Sequence, residues 1–246
     1  MTSEIIWQST IAGLATLLGA IIILLTGQLE EKALAFLLGF AGGIMTSVVI
    51  FDLIPSSLVY GNALVALLGF CAGLIFMLSL DIIIALCPSL KNKNLIESNN
   101  RLLKMGYLIA IGIALHDLPE GVAIAVGYAA ENDLGLIIAL SIGLHNIPEG
   151  MAIAAPLAMS KIPKSRIIII CILISFFTPI GALLGILLIN ISSHFISLLL
   201  ALAGGAMAFI VKNELIPESH HKHPSFARFG FVIGIILILL IGIYHS

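Results

Sequence analysis

The chain has 246 residues, of which 60% are hydrophobic and only 10% are charged, and its mean hydropathy is +1.20. These values exclude a water-soluble globular domain and indicate a protein that folds within lipid. The net charge of −2 points to no particular partner, and we expect no nucleic-acid partner. The three cysteines, Cys71, Cys87 and Cys171, lack the spacing of a thiolate metal site or a disulfide framework.

Eight apolar runs are each long enough to cross a bilayer core of about 30 Å, which needs a helix of about 20 residues. We therefore predict an all-α polytopic membrane protein with a single transmembrane domain over residues 1–246. The predicted helices cover approximately residues 5–26, 32–57, 62–87, 105–129, 133–159, 166–189, 195–219 and 226–244. The first run lacks the charged start and cleavage site of a signal peptide, so we expect it to remain as a helix.

Charge placement predicts the orientation of these helices. With eight helices, every Lys and Arg except Lys212 falls on one side of the membrane, in a connection or at the adjoining end of a helix, and the opposite side has none. The positive-inside rule then predicts a multi-pass protein of the cell membrane with both termini outside the cytoplasm. Lys212 lies within the seventh helix, where we expect it to pair with an acidic neighbour or to extend towards the cytoplasm.

Two pairs of segments repeat within the chain. Residues 41–57 (AGGIMTSVVIFDLIPSS) align without gaps on residues 203–219 (AGGAMAFIVKNELIPES), and roughly half of the positions are identical. Residues 115–125 (LHDLPEGVAIA) match residues 144–154 (LHNIPEGMAIA). Because the helices of each pair run in opposite directions, we predict an inverted repeat of helices 1–3 and 6–8 around a central pair, helices 4 and 5. Secondary transporters with this plan bind substrate near the bilayer midplane.

The central pair of helices carries the candidate metal ligands. His116 and Glu120 are four residues apart, as are His145 and Glu149, so each His and Glu share one helix face. Imidazole and carboxylate donors suit Zn²⁺, Fe²⁺, Mn²⁺, Co²⁺ or Cd²⁺, and the residues leave the choice among these metals open. The two glutamates also supply the negative charge that a divalent ion needs in a region of low dielectric constant.

The residues next to these ligands extend the prediction. Asp117 and Asn146 directly follow the two histidines and are candidates for a second, adjacent site that shares the two glutamates. Pro119 and Pro148 each remove a backbone hydrogen bond one turn earlier. The freed carbonyl groups are expected to line a wet cavity or to add ligands.

Other polar residues predict a path through the membrane. Asp52, near the outer end of helix 2, is expected at the entrance, and its repeat mate Glu214 is expected at the exit. The remaining exit candidates are Asp81, Glu218, His220, His221 and His223. The three histidines are equally well explained as a solvated polar loop.

At these residues the chain resembles the ZIP (Zrt-, Irt-like protein) family of metal importers, especially its prokaryotic members, along nearly its whole length. The motifs HDLPEG at 116–121 and HNIPEG at 145–150 look like the paired metal motifs of the family's fourth and fifth helices. The resemblance implies a homodimer with external termini that moves Zn²⁺ or another divalent ion into the cytoplasm, without a prosthetic group. Some bacterial members add a helix-six glutamate to a second metal site, whereas this chain has Thr178 there and lacks that charge.

Two other functions compete with transport. An intramembrane metal-dependent hydrolase would use the same ligands to activate water, but it needs an open coordination position and a separate general base. The His-Glu-x-x-His motif of such enzymes is absent from the sequence. A metal sensor or scaffold would need a soluble output domain, and the sequence has no obvious one. Transport is therefore the favoured hypothesis, and we do not expect an enzyme.

Overall fold

The computed structural model describes residues 2–26, 30–86, 97–130, 132–188 and 193–245. All secondary structure within these ranges is helical and forms eight segments, which we label α1 to α8. Their bounds are Thr2–Thr26 (α1), Glu31–Tyr60 (α2), Ala63–Leu86 (α3), Glu97–Ala130 (α4), Asn132–Met159 (α5), Lys164–Ser175 with Phe177–Leu188 (α6), Ser193–Lys222 (α7) and Pro224–His245 (α8).

The described helices have the length and apolarity of membrane spans. Seven of them qualify over at least 18 residues, and α8 contains a shorter apolar stretch, Pro224–Leu240. Large apolar side chains such as Trp7, Leu25 and Val59 are exposed on the outside of the bundle, where lipid would contact them. The prediction of an all-α polytopic membrane protein is confirmed.

Helix α4 starts earlier than its apolar run. It begins at Glu97, whereas the apolar pattern predicts a start near residue 105. Its first two turns are polar and include Arg101 and Lys104, so a prediction based on hydropathy could not include them. Of the cysteines, Cys171 is buried, Cys71 is exposed, both are free, and Cys87 lies outside the described residues.

Packing divides the helices into two groups. The central group consists of α1, α4, α5 and α6, which pack most extensively in the pairs α1–α5, α4–α6 and α4–α5. In the flanking group, α2 packs against α8 and α3 packs against α7. The last turns of α2 also contact α7, and the last turns of α7 contact α2. The candidate metal ligands therefore belong to the central group.

Two of the glycines that allow close packing within the central group lie next to candidate ligands. A β carbon at Gly121 of α4 would collide with the carbonyl oxygen of Thr178 on α6. A β carbon at Gly150 of α5 would collide in the same way with the carbonyl oxygen of Thr16 on α1. Small residues allow helix backbones to approach closely in membranes. Because both glycines directly follow candidate glutamate ligands, this packing sets where the carboxylates lie.

Helices α2 and α7 each contain one turn of π-helix at matching positions of the 41–57 and 203–219 repeat. The π turns are Val49–Leu53 and Val211–Leu215, and each lies just before a proline. Proline has no backbone N–H to continue the helical ladder, which explains why the ladder widens there. These irregular turns carry two of the predicted path residues, Asp52 and Glu214.

Candidate metal centre

Three of the predicted ligands meet between α4 and α5. The Nε2 atom of His116 lies 2.6 Å from Oε1 of Glu120, and the Nε2 atom of His145 lies 2.5 Å from the same oxygen. The centroids of the two imidazole rings are 6.3 Å apart. The His145 ring hydrogen-bonds this carboxylate oxygen, whereas Nε2 of His116 lies at ion-pair distance from it and makes no hydrogen bond within the described part of the chain.

Glu149 completes the cluster from α5. Its Oε1 atom is 3.9 Å from Nε2 of His116, and ligand atoms of His116, His145 and Glu149 all lie within 4.8 Å of one another. Both carboxylate oxygens of Glu149 are buried and make no hydrogen bond within the described part of the chain. We name His116, Glu120, His145 and Glu149 the central cluster. Zinc bonds to imidazole nitrogen and carboxylate oxygen are about 2.0–2.2 Å long. Donor atoms that already lie within 4.8 Å of one another therefore need only side-chain rotation to reach a single ion.

Burial makes the central cluster a place where a cation is stabilised. His116 and Glu149 are fully buried, and only 5% of Glu120 is exposed. A buried carboxylate without hydrogen bonds is costly inside a membrane protein unless a counter-charge, a proton or a metal compensates it. The cluster therefore combines unpartnered negative oxygens with imidazole nitrogens, which are the donor types that Zn²⁺ prefers.

Both helices continue through their internal prolines. Pro119 lies inside α4, and Pro148 lies inside α5. The helical spacing of four residues is therefore kept between the histidine and the glutamate of each motif, so that each pair shares one face. This explains locally why two short motifs deliver all four donor groups to one point.

The two candidates for a second site have different surroundings. The side-chain amide of Asn146 donates a hydrogen bond of 3.0 Å to the carbonyl oxygen of Ala12 on α1, which leaves its Oδ1 atom without a described partner. Asp117 is fully buried, and neither of its carboxylate oxygens has a described partner. Its charged neighbours are Glu120 and Glu149. Asn146 thus helps to attach α5 to α1, while Asp117 is a third buried carboxylate beside the central cluster.

Thr16 was not among the residues predicted from the sequence. This residue on α1 corresponds to Thr178 on α6. Both side chains are fully buried, and neither hydroxyl group has a described hydrogen-bond partner. The backbone carbonyl of Thr16 faces Gly150 of α5, and that of Thr178 faces Gly121 of α4. The signal was present as Thr-x-x-Gly at 16–19 and again at 178–181. Polar groups that contribute to the site surroundings thus also come from α1 and α6.

Asp52 lies beside the central cluster. Its side chain is exposed, and its charged neighbours are His145, Glu120 and His116. Asp52 lies within the π turn of α2. The residue predicted at the entrance is therefore next to the candidate ligands.

The carboxylates predicted at the exit lie among cations. The Nζ atom of Lys104 is 2.7 Å from Oδ1 of Asp81, and Arg101 forms an ion pair with Glu218. Glu214 is half-buried, and these four residues are its charged neighbours. We name the five residues the inner cluster. Sequence reasoning assigned both cations to a loop, so it did not predict these ion pairs.

The remaining path candidates are not part of either cluster. His220 and His221 are exposed. His223 is half-buried, lies edge-on to the ring of Phe226 at 4.9 Å, and accepts a 3.5 Å hydrogen bond from the Phe226 backbone N–H. Lys212 is exposed.

Comparison with known proteins identifies the family. The model of the ZIP zinc transporter family matches residues 91–242. The chain is 33% identical to the zinc transporter GufA of Myxococcus xanthus, over 95% of this chain and 97% of that protein. It is 30% identical to the zinc transporter ZupT of Chlorobium chlorochromatii, over 98% of each chain. It is also 34% identical to the zinc transporter ZTP29 of Arabidopsis thaliana, over 85% of this chain and 82% of that protein.

These matches separate the competing functions. The matched family and the named relatives are transporters, so they give no support to the intramembrane hydrolase. The matches also cover both HDLPEG and HNIPEG, the motifs that form the central cluster. The chain therefore belongs to the ZIP zinc transporter family, as a prokaryotic-type member.

Proposed function

We propose that this protein carries zinc across the cell membrane into the cytoplasm through the central cluster. The observation that carries the proposal is the convergence of two Nε2 atoms, from His116 and His145, on one buried oxygen of Glu120. The names of the relatives favour zinc as the first substrate. Iron, manganese, cobalt and cadmium suit the same donors and are secondary candidates.

The chemistry of the central cluster suits a transported ion. Two imidazole nitrogens and two carboxylates provide four ligands, and the two carboxylates balance the double charge of the ion. An arriving metal replaces the hydrogen bond between His145 and Glu120 and the close contact of His116 with the same carboxylate, so an imidazole nitrogen that binds it must give up any proton it carries. The ligands are therefore already gathered before the ion binds, which lowers the cost of ordering them.

Asp117 and Asn146 form, in this proposal, a second subsite that shares Glu120 and Glu149. The two unpartnered oxygens of Asp117 and the free Oδ1 atom of Asn146 support this assignment. Because Thr178 supplies a neutral hydroxyl group, the second subsite carries less negative charge than one with a glutamate there. We therefore expect it to bind metal more weakly than the central cluster.

Matching contacts support an inverted repeat as the basis of a two-sided path. Packing of α1 on α5 corresponds to packing of α6 on α4, and packing of α2 on α8 corresponds to packing of α7 on α3. The collisions predicted at Gly121 and Gly150, and the two π turns, follow the same correspondence. In such a repeat similar elements face both sides of the membrane.

The path and its orientation follow from this arrangement. Asp52 lies on the outer approach to the central cluster. The proposed inner route passes Asp81, Glu214, Glu218, His220, His221 and His223. The distribution of Lys and Arg supports external termini, and the family resemblance supports a homodimer.

Metal flux into liposomes tests the proposal. Purified protein is reconstituted around a metal-sensitive dye, and the flux of Zn²⁺ and Fe²⁺ is followed for wild type, for the double variant Glu120→Ala/Glu149→Ala, and for Glu31→Gln. The control removes a carboxylate that is 68% exposed at the start of α2. We expect flux in wild type and the control, and none in the folded double variant.

Each result has a defined meaning. A correctly inserted wild-type protein that passes no divalent metal under several pH gradients would overturn the transport proposal. Equal flux in wild type and the double variant would instead overturn the assignment of the central cluster as the transport site.

A further inference from the structure

We propose that Arg101 and Lys104 form the cytoplasmic gate of the metal path. In this proposal their ion pairs with Glu218 and Asp81 close the inner route, and the two cations leave these carboxylates when metal passes. The inference rests on the proposed transport function and adds two residues that neither metal motif contains. It assigns a role to the polar start of α4, which no apolar pattern predicted.

Both ion pairs cross the boundary between the two helix groups. Arg101 and Lys104 lie on α4 in the central group, whereas Asp81 lies on α3 and Glu218 lies on α7 in the flanking group. They therefore restrain movement of one group against the other. A third ion pair at the same end, Lys222 with Glu31 at 3.1 Å, joins α7 to α2 within the flanking group and imposes no such restraint.

One continuous helix connects the gate to the metal ligands. Lys104 and His116 are both on α4, twelve residues apart, which corresponds to about 18 Å along the helix axis. A shift of α4 that accompanies binding at His116 and Glu120 therefore also moves Arg101 and Lys104. The same helix can in this way link occupancy of the central cluster to the state of the ion pairs.

The carboxylates of the two π turns differ in exposure and in charged neighbours, as expected if the inner route is closed and the outer approach is open. Asp52 is exposed and neighbours the central cluster, whereas its repeat mate Glu214 is half-buried and neighbours Lys104 and Arg101. A cation held beside a carboxylate repels a second cation at the same place. Zn²⁺ can therefore approach the inner carboxylates only after the two basic side chains have moved away.

The ion pair between Lys104 and Asp81 is partly exposed, as expected for a contact that breaks and re-forms in every transport cycle. The side chain of Lys104 is 33% exposed and that of Asp81 is 25% exposed. Loss of a partly exposed ion pair changes a two-state equilibrium by up to about fivefold. The pair is thus strong enough to bias the closed state and weak enough to break and re-form.

A thiol reporter in the inner cluster tests the gate. Glu214→Cys is introduced in a background with Cys71, Cys87 and Cys171 replaced by alanine, and a membrane-impermeant thiol reagent is supplied from the cytoplasmic side without metal. We expect Lys104→Gln and Arg101→Gln each to accelerate labelling, by up to about fivefold. Lys222→Gln is the matched control, because it breaks an ion pair at the same end that does not cross the boundary, and it should leave the labelling rate unchanged.

A charge exchange distinguishes gating from general weakening of the fold. The double variant Asp81→Lys/Lys104→Asp keeps an ion pair across the boundary and should restore slow labelling. Equal labelling rates in wild type, Lys104→Gln and Lys222→Gln would overturn the gate, as would fast labelling in a folded exchange variant. Labelling needs no metal, so the two proposals can fail independently. If the gate variants change the labelling rate but the wild-type protein passes no zinc, the gate stands and the transport proposal is overturned.

Discussion

The substitution Gly121→Ala tests whether contact between α4 and α6 positions the metal ligands. The added methyl group would collide with the carbonyl oxygen of Thr178, and a backbone carbonyl inside a packed helix cannot rotate away. To reach an ordinary carbon contact of about 3.5 Å, the two helices must separate by more than about 1 Å. Overpacking of this kind costs about 1–3 kcal/mol, against a helix-propensity gain of at most about 1 kcal/mol.

Gly42→Ala provides the matched control. A β carbon at Gly42 of α2 would meet its nearest neighbours, in Leu215 and Phe231, at 3.7 Å, which is an ordinary contact. We expect this variant to gain up to about 1 kcal/mol of stability, whereas Gly121→Ala should lose up to about 2 kcal/mol. Because Gly121 directly follows Glu120, its variant should also lose zinc flux.

Thermal unfolding in detergent and zinc flux in liposomes measure the two effects. We expect a lower unfolding temperature and lower flux for Gly121→Ala, and wild-type flux with an equal or higher unfolding temperature for Gly42→Ala. If both variants unfold at the same temperature and transport zinc equally well, the close contact between α4 and α6 does not position the site.

Three further predictions concern the central cluster and its surroundings. In metal-free protein, Glu120→Gln should lower the unfolding temperature because it weakens the hydrogen bond with His145 and removes the charge that faces both imidazoles, whereas Glu149→Gln should be neutral or stabilising because it removes a buried carboxylate without a hydrogen bond. Zinc binding in weakly buffered solution should release protons from the imidazoles, which an indicator dye detects; binding without release would contradict the hydrogen-bonded arrangement. Asn146→Ala should cost about 0.5–1.5 kcal/mol, because the hydrogen bond that joins α5 to the carbonyl of Ala12 on α1 is lost, and unchanged unfolding would refute that role.

The helices and the ligand cluster could be predicted from the sequence for a physical reason. A helix that crosses lipid must be apolar along its length, so hydropathy marks it directly. Residues four apart share a helix face. The spacing of His116 with Glu120 therefore predicts that both lie on one face of α4, and the spacing of His145 with Glu149 predicts the same for α5. The structure places all four of them together.

The features that were not predicted depend on contacts between distant residues, on a helix start that is polar, or on local irregularities of the helix backbone. The start of α4 is helical without being apolar, so its cations were assigned to a loop. Their partners, Asp81 and Glu218, are distant in sequence and become neighbours only when α3 and α7 pack. The π turns at Asp52 and Glu214 arise where a proline interrupts the ladder of a continuing helix, whereas apolar periodicity reports only that the helix continues.

Zinc K-edge X-ray absorption tests most directly whether the central cluster holds the metal. Protein loaded with one zinc equivalent should show two imidazole nitrogens at about 2.0–2.1 Å and carboxylate oxygens at about 2.0–2.2 Å. The imidazole signal should vanish in a folded His116→Ala/His145→Ala variant. An all-oxygen or sulfur environment, or a spectrum that the double variant leaves unchanged, would contradict the assignment of His116, Glu120, His145 and Glu149 as the zinc ligands.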